Sequence, residues 1–220
     1  ITLIDRGRFS EGRGLNLKDA LLEAPGVFAQ SRSGGQDTRL SIRGFGARGS
    51  GERSNAGVSR GIRVMTDGLP ISEPDGRTSL DFADLGGADM VEISRSNASA
   101  LYGNASGGVV NLRTNFDFDH SFQQLRVKGG SFGYHREQAY LGTRIGDSRA
   151  TVSIGNSTFD GWREHSATST SLLQARVKAV LDAKTSMGIL LDATSNLNRY
   201  PGPLTAAQLD SAPEMANRNF

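Results

Sequence analysis

The second half of the chain repeatedly alternates apolar and polar residues between about residue 124 and residue 194. In the clearest segment, polar residues separate a regular series of apolar ones: Leu173, Ala175, Val177, Ala179 and Leu181. A period of two places the apolar side chains on one face of a β-strand and the polar side chains on the other. Five such segments of about ten residues are predicted, a length that suits a tilted strand crossing a membrane.

The connections between these segments differ in length. Tight turns are predicted at 146–148 and 182–184, and long connections at 156–170 and after Thr194. Short turns at one end and long loops at the other are typical of outer-membrane β-barrels. A soluble antiparallel sandwich shows the same alternation, so periodicity alone leaves both architectures open.

Composition excludes several classes of protein. Hydrophobic residues make up 36% of the 220 residues, and no apolar run approaches the roughly 20 residues that a spanning helix needs. Cysteine is absent, which rules out disulfides and thiolate metal sites. The net charge of +2 gives no general case for nucleic acid as a partner. The chain starts at Ile1 without an initiator Met or signal-like segment, so we expect a mature or truncated piece.

No enzymatic chemistry is predicted, and no cofactor or metal. The three histidines are isolated from one another, and no serine lies in a nucleophile elbow. Residues 44–49 fit the pattern G-x-G-x-x-G after a predicted strand. A dinucleotide site also needs a helix that opens at this turn, and residues 50–57 have no helical period. An NAD-dependent oxidoreductase therefore rests on the glycine pattern alone.

The first half of the chain mixes strands with short helices. Asn16 is a candidate cap for a helix whose apolar side includes Leu17 and Leu21, and Pro25-Gly26 ends it. A helical turn is expected at 81–85, and Asp67-Gly68 is a strong turn pair. Short extended segments are predicted at 1–4, 27–29, 40–44, 62–67 and 91–93.

Residues 91–114, VEISRSNASALYGNASGGVVNLRT, read as a strand, a turn with a short helical piece, and a second strand. The stretch resembles the end of the plug domain of TonB-dependent outer-membrane receptors. That family has a Glu-bearing strand, an Arg, Leu-Tyr-Gly and Gly-Gly-Val-Val-Asn in this order. The matching positions are Glu92, Arg95, 101–103 and 107–111. The family usually has Gly-Pro after the Arg, where this chain has Ser-Asn.

Two further signatures support the resemblance and give it an architecture. Ile42-Arg43-Gly44 and Asp67-Gly68 are similar to the family's Ile-Arg-Gly and Asp-Gly motifs. The resemblance implies an α+β plug domain at 1–115, a small mixed sheet with short helices. The N-terminal part of an antiparallel transmembrane β-barrel, about its first five strands, is then expected at 116–220.

The resemblance also implies a function. It predicts an outer-membrane receptor or transporter that takes up a scarce nutrient such as an iron chelate. A TonB partner, driven by its inner-membrane energising complex, would displace the plug that gates the barrel. The TonB-contacting box is expected upstream of this chain. The rival interpretation is a soluble secreted β-rich ligand-binding module.

Site residues follow from the matched positions. Arg43, Glu92 and Arg95 are expected to contact the inner barrel wall, because the resemblance places them on the plug surface. The ligand is expected at three plug loops, residues 31–37, 47–60 and 69–78. An anionic chelate suits the glycine-rich and arginine-rich second loop. The candidate ligand-binding residues are Arg32, Gln36, Arg48, Arg53, Asn55, Arg60, Asp75 and Arg77. A run at 201–205 resembles iron-citrate-type receptors, and the ligand itself stays open.

Overall fold

In the computed structural model, the chain forms two compact units, Ile1–Asn115 and Phe116–Phe220. The structure describes residues 1–11, 17–33, 36–46, 61–72, 78, 80–83, 85–114 and 116–217. For residues 11, 32–33, 36–37 and 82, the description is of the backbone alone. None of the described helices has the length and apolar content needed to span a membrane.

The first unit combines short strands with shorter helices. Its described strands are β1 (Thr2–Asp5), β2 (Val27–Ser33), β3 (Gln36–Ile42), β4 (Phe45–Gly46), β5 (Ile62–Thr66), β6 (Leu69–Pro70), β7 (Met90–Ser94) and β8 (Gly108–Arg113). Its described helices are α1 (Arg6–Glu11), α2 (Leu17–Leu21), a single 3-10 turn (Leu80–Phe82) and α3 (Ser99–Tyr102). These bounds agree with the strands predicted at 1–4 and 62–67 and with the short helical piece predicted within 91–114, and the helical turn expected at 81–85 is a 3-10 turn at 80–82.

The strands of the first unit form two sheets. One sheet has the order β1-β7-β8-β5-β6, and the other has the order β2-β3-β4. The β5–β8 pair is parallel and the other pairs are antiparallel, so the larger sheet is mixed. The small mixed sheet with short helices is the predicted plug-like fold.

Period-two burial in β7 and burial on both faces of β8 build the core of the first unit. In β7, Val91 and Ile93 are fully buried while Glu92 on the other face is not. Burying a side chain of this size contributes about 1.5–3 kcal/mol. The principal cluster joins α2 to the mixed sheet and includes Leu17, Leu21, Val64, Val91, Ile93, Val110 and Leu112. A smaller cluster of Met65, Ala105 and Val109 covers the other face.

Helix α1 was not predicted from the sequence. It has no apolar period, and its position depends on a tertiary contact of its first residue. Arg6 Nη1 donates to the carbonyl of Ala88 at 2.8 Å and Nη2 to that of Gly86 at 3.0 Å, and Asp89 pairs with the same guanidinium at 3.5 Å. A loop about 80 residues away in sequence therefore fixes this helix.

The glycine pattern at 44–49 begins in a β-hairpin. Arg43 and Gly44 form a two-residue loop between β3 and β4, with φ of 54° and 79°. Positive φ at both loop positions is the geometry of a type I′ turn. A Cβ on Gly46 would overlap the carbonyl oxygen of Leu40, so the strand needs glycine there for close backbone approach. The described part of the pattern is therefore explained by backbone packing.

The second unit is a five-stranded antiparallel meander with the order β13-β12-β11-β10-β9. Its strands contain from 8 to 13 residues. They are β9 (Phe122–Gly129), β10 (His135–Ile145), β11 (Ser148–Phe159), β12 (Thr168–Val180) and β13 (Ser186–Asn198). The five predicted alternating segments correspond to these five strands.

The two faces of this sheet differ in chemistry. On the apolar face, Leu125, Ala139, Ile154, Leu173 and Ala193 lie directly opposite one another in register across the five strands. Several members of this face are largely exposed, with Leu125 at 79% and Val127 at 71%. The opposite, polar face includes buried polar side chains such as Gln138, Ser153, Gln174 and Arg176.

The long connections are shorter than the sequence suggested. β11 continues to Phe159 and β12 starts at Thr168, so the loop between them covers 160–167 and not 156–170. The strand ends carry polar residues such as Asn156 and Ser171, which pair with each other. Their polarity is typical of a loop, and the sequence therefore predicts a longer connection than the structure has. After β13, helix α4 (Ala206–Ser211) starts with a capping box between Thr205 and Gln208. That helix too was not predicted.

The tight turns lie at the opposite end of the sheet from these loops. One turn joins β10 to β11 at residues 146–147, and the other joins β12 to β13 at 181–185. In the second turn, the backbone N–H of Lys184 donates to the Asp182 carboxylate at 2.7 Å. This bond and those from Thr185 lower the pKa of the exposed Asp182 carboxyl. The predicted short turns are confirmed.

Two glycine substitutions test the β3–β4 hairpin. Gly46→Ala forces a Cβ against the Leu40 carbonyl and should lower the stability of the hairpin by about 3 kcal/mol or more. Gly44→Ala adds a Cβ in open space at positive φ and should cost about 1 kcal/mol. Amide hydrogen exchange at β3 in the intact protein measures both. Equal losses of protection in the two variants would contradict the close approach at Gly46.

Candidate functional site

Glu92 lies on β7 on the face of the sheet opposite the principal core. Its Oε2 is 3.7 Å from Nη1 of Arg113 on the neighbouring strand β8, and the two side chains are 29% and 60% exposed. An ion pair with this exposure contributes little to stability, typically about 0–1 kcal/mol. Within the first unit, Glu92 is therefore paired but accessible.

Arg95 connects three segments that are distant in sequence. It follows β7, and its Nη1 donates to the carbonyl of Pro25, in the turn between α2 and β2. Its own backbone carbonyl accepts a bond from Nη1 of Arg43 at 3.3 Å. The guanidinium group carries several N–H donors in a fixed geometry, which suits hydrogen bonding to backbone carbonyls. Arg43 and Arg95 thus lie together, and their expected contact with the barrel wall stays a prediction.

The Asp67-Gly68 turn is a clamp on the last strand of the first unit. Asp67 has a φ of 49°, and its carboxylate accepts bonds from the Thr114 N–H at 2.7 Å and the Thr114 hydroxyl at 3.0 Å. The Gly68 N–H donates to the side-chain oxygen of Asn111 at 3.2 Å. The sequence indicated a turn here, but it gave no sign that the carboxylate binds the chain where β8 ends.

The candidate ligand-binding residues fall at the margins of the described structure. Arg32 ends up in β2 and Gln36 in β3, and their side chains lie outside the description. The remaining six, Arg48, Arg53, Asn55, Arg60, Asp75 and Arg77, lie outside the described residues altogether. Their assignment to a ligand site stays a prediction.

At the long-loop end of the second unit, separate connections are fastened together. The Arg163 guanidinium donates to the carbonyls of Met215 and Gly202. The Asp160 N–H donates to the carbonyl of Phe132, which joins the β9–β10 and β11–β12 connections. Gly202 lies in the run that resembles iron-citrate-type receptors, and here its carbonyl has a structural role. Sequence reasoning missed Arg163, because nothing in its local pattern indicates so distant a partner.

The side chains described above hold separate backbone segments together. Among the described residues, no group of three or more His, Cys, Asp or Glu side chains is arranged to hold a metal ion. His135 instead pairs with Glu137 at 2.8 Å on an exposed strand face. In the first unit, the described side-chain contacts hold the turns and the end of β8 in place.

A comparison with family models matches residues 1–109 to the TonB-dependent receptor plug domain. The match covers β1 and includes the motifs around Arg43, Asp67 and Glu92. This chain carries the plug domain of a TonB-dependent receptor. The predicted family and the predicted plug fold are confirmed.

Individual relatives agree with this assignment. The vitamin B12 transporter BtuB of Photobacterium profundum is 27% identical over 151 residues, which are 67% of this chain and 23% of that protein. Among solved structures, the pyoverdine outer-membrane receptor FpvA of Pseudomonas aeruginosa PAO1 has a TM-score of 0.69 at 18% identity. The match covers 89% of this chain and 27% of the FpvA chain. The ferric yersiniabactin uptake receptor FyuA of Yersinia pestis has a TM-score of 0.67 at 18% identity, covering 89% and 31%.

The chain thus spans about a quarter of the length of the relatives it matches. The structural likeness supports the fold, a plug domain followed by strands of a receptor barrel. These relatives are transporters and receptors and not enzymes, as the sequence predicted. Membership in this receptor family also places the protein in the outer membrane.

Substitution of Asp67 tests the clamp on β8. Asp67→Ala removes both acceptors of Thr114 and should cost about 1–3 kcal/mol, with faster hydrogen exchange at the Thr114 amide. Asp67→Asn keeps one acceptor oxygen and tolerates positive φ, so it should retain most of the protection. Exchange of the Thr114 amide in the full-length receptor is the measurement. Unchanged protection in Asp67→Ala would show that the clamp contributes nothing.

Proposed function

We propose that this protein is an outer-membrane receptor that imports a scarce nutrient, such as an iron chelate, with energy supplied through TonB. The plug domain at residues 1–109 supports this proposal, since it belongs to TonB-dependent receptors. In this function the plug closes the barrel, and TonB with its inner-membrane energising complex displaces it.

The observation that carries the proposal is the order of the two units along the chain. A plug domain is followed directly by an antiparallel meander whose one face is apolar and exposed and whose other face is polar. In a barrel, lipid contacts the first kind of face and the lumen contacts the second. We therefore take residues 116–220 as the first five strands of the barrel wall.

The relatives' names set the range of nutrients. BtuB is named as a vitamin B12 transporter, and the names of FpvA and FyuA refer to pyoverdine and to ferric yersiniabactin. The name of FyuA refers to a ferric chelate, which motivates iron chelates as the first nutrients to test. A deletion strain that carries the full-length gene, grown on a panel of iron sources and on vitamin B12, tests the proposal. Growth unaffected by loss of the receptor or of TonB would contradict it.

Two arginines test the ligand loop of the plug. In the full-length receptor, Arg48→Ala combined with Arg53→Ala should weaken ligand binding by about 1.5–3 kcal/mol, or roughly tenfold to a hundredfold in Kd. The reason is the loss of charge-assisted hydrogen bonds to an anionic chelate. Calorimetry with the chelate found in the growth panel measures this, and Lys184→Ala in the β12–β13 turn is the control. Unchanged affinity at normal outer-membrane abundance would remove the loop from the site.

Spin labels test the orientation of the meander. A label at Leu173 of the full-length receptor in liposomes should be quenched by a lipid-soluble reagent, while a label at its neighbour Gln174 should be protected. An arginine at Leu173 should cost about 2–4 kcal/mol if the residue lies near the middle of the bilayer. Equal quenching at both positions would favour a soluble β-rich module over a barrel wall.

A further inference from the structure

The N-terminal strand of the first unit is weakly attached to its sheet. β1 lies at the edge of the order β1-β7-β8-β5-β6, and among the described strands its one neighbour is β7. The pairing covers four residues, from Thr2 opposite Ile93 to Asp5 opposite Met90. Of the four side chains of β1, only that of Ile4 is buried. A short edge strand with one buried side chain detaches easily, because few contacts hold it.

Arg6, the residue that follows β1, is held more firmly. Its guanidinium donates to the carbonyls of Gly86 and Ala88 and pairs with the Asp89 carboxylate. Its backbone N–H donates to the Asp89 carbonyl at 2.8 Å. The Arg6 side chain is only 16% exposed, so water weakens these charge-assisted contacts less than it weakens contacts at the surface.

The segment that Arg6 binds is itself fixed to the body of the first unit. The Asp89 N–H donates to the carbonyl of Arg113 at 2.8 Å, and Arg113 is the last residue of β8, the central strand of the larger sheet. Leu85 and Ala88 are buried in the principal cluster. Asp89 therefore joins the first residue of α1 to the central strand, so a force that acts on Arg6 reaches the whole sheet.

The second arginine of α1 is bound differently. Arg8 Nε is 3.1 Å from the Glu23 carboxylate, and the Arg8 side chain is 59% exposed. An exposed pair of this kind contributes little to stability. The two arginines of one short helix therefore differ in strength of attachment: Arg6 holds the helix to the larger sheet, and Arg8 makes a surface contact.

We infer that Arg6 is a latch that resists a pull on the N-terminal end of the plug, and that its release limits TonB-driven opening. The inference rests on the proposed function, in which TonB displaces the plug, and on the expectation that the TonB-contacting box lies upstream of Ile1. A pull from that side reaches β1 first and Arg6 next. The bonds of Arg6 must then break together before α1 can follow, which presents a higher barrier than a single exposed pair.

Substitutions of the two arginines provide a matched test in the full-length receptor. Arg6→Ala removes the guanidinium contacts and should raise hydrogen exchange at the residue-6 amide and along β1 by about tenfold to a hundredfold. Arg8→Ala should raise it by less than about fivefold, since its ion pair is exposed. The Asp67 amide, which donates to the Leu112 carbonyl, reports on the rest of the sheet and should stay protected in both variants.

The latch also predicts an effect that a purely structural contact would not produce. TonB should open the plug of Arg6→Ala more readily, so cells that carry this variant should become more sensitive to vancomycin, a bulky hydrophilic antibiotic, only when TonB is present. Arg8→Ala at equal receptor abundance should leave the sensitivity unchanged. Arg6→Lys keeps the charge but loses the fork that reaches two carbonyls, so its effects should be intermediate. If Arg6→Ala does not reach the outer membrane, Arg6→Lys is compared with Arg8→Lys.

Three results would overturn the latch but leave the proposed function standing. The first is equal exchange along β1 in the Arg6 and Arg8 variants, and the second is unchanged vancomycin sensitivity of the Arg6 variant when TonB is present. The third is sensitivity that rises without TonB together with lost protection at the Asp67 amide, since that combination indicates a generally damaged plug. Growth of the unaltered strain in the nutrient panel that does not depend on TonB would instead overturn the proposed function and the latch with it.

Discussion

The first unit depends on the parallel pairing of β5 with β8. This pairing aligns Ile62 with Gly108 and Thr66 with Leu112, and parallel neighbours need a long connection between them. The connection brings the Asp67 turn beside the end of β8, where its carboxylate binds Thr114. It also places β7 on the other side of β8, so that Glu92 meets Arg113. The clamp follows from the β5–β8 pairing, and the exposed ion pair follows from the β7–β8 pairing on the other side of the same strand.

Much of this architecture was predictable because its signals are local. Period-two alternation predicted all five strands of the meander, and the motifs around Arg43, Asp67 and Glu92 predicted the plug. What failed depends on contacts between distant residues. Helix α1 is fixed by carbonyls of residues 86 and 88, and Arg163 binds carbonyls of residues 202 and 215. No local pattern indicates such partners, and polar strand ends such as Asn156 look like loop until their pairing is known.

The candidate site likewise combines features that local motifs predicted with features that only the structure shows. The motifs singled out Arg43 and Arg95 separately, and only the structure joins them, through the Arg95 carbonyl. The charge of the barrel wall was hidden in the sequence, since 25 basic and 23 acidic residues balance over the whole chain. Only the strand register separates the cations of β9–β13 onto one face and shows that Arg144, Arg149 and Lys178 share a row. Positive charge that is balanced over the whole chain is therefore concentrated on one face of the β9–β13 sheet.

The central proposal is that residues 116–220 form part of a barrel wall and that their polar face is directed at the lumen. A cryo-electron microscopy structure of the full-length receptor in a lipid nanodisc tests this directly. The account predicts that Leu125, Ile154 and Leu173 face lipid, that Gln174 and Arg176 face the lumen, and that residues 1–115 lie inside the barrel. A polar face directed at lipid, or a plug domain outside a barrel that lacks these strands, would contradict it.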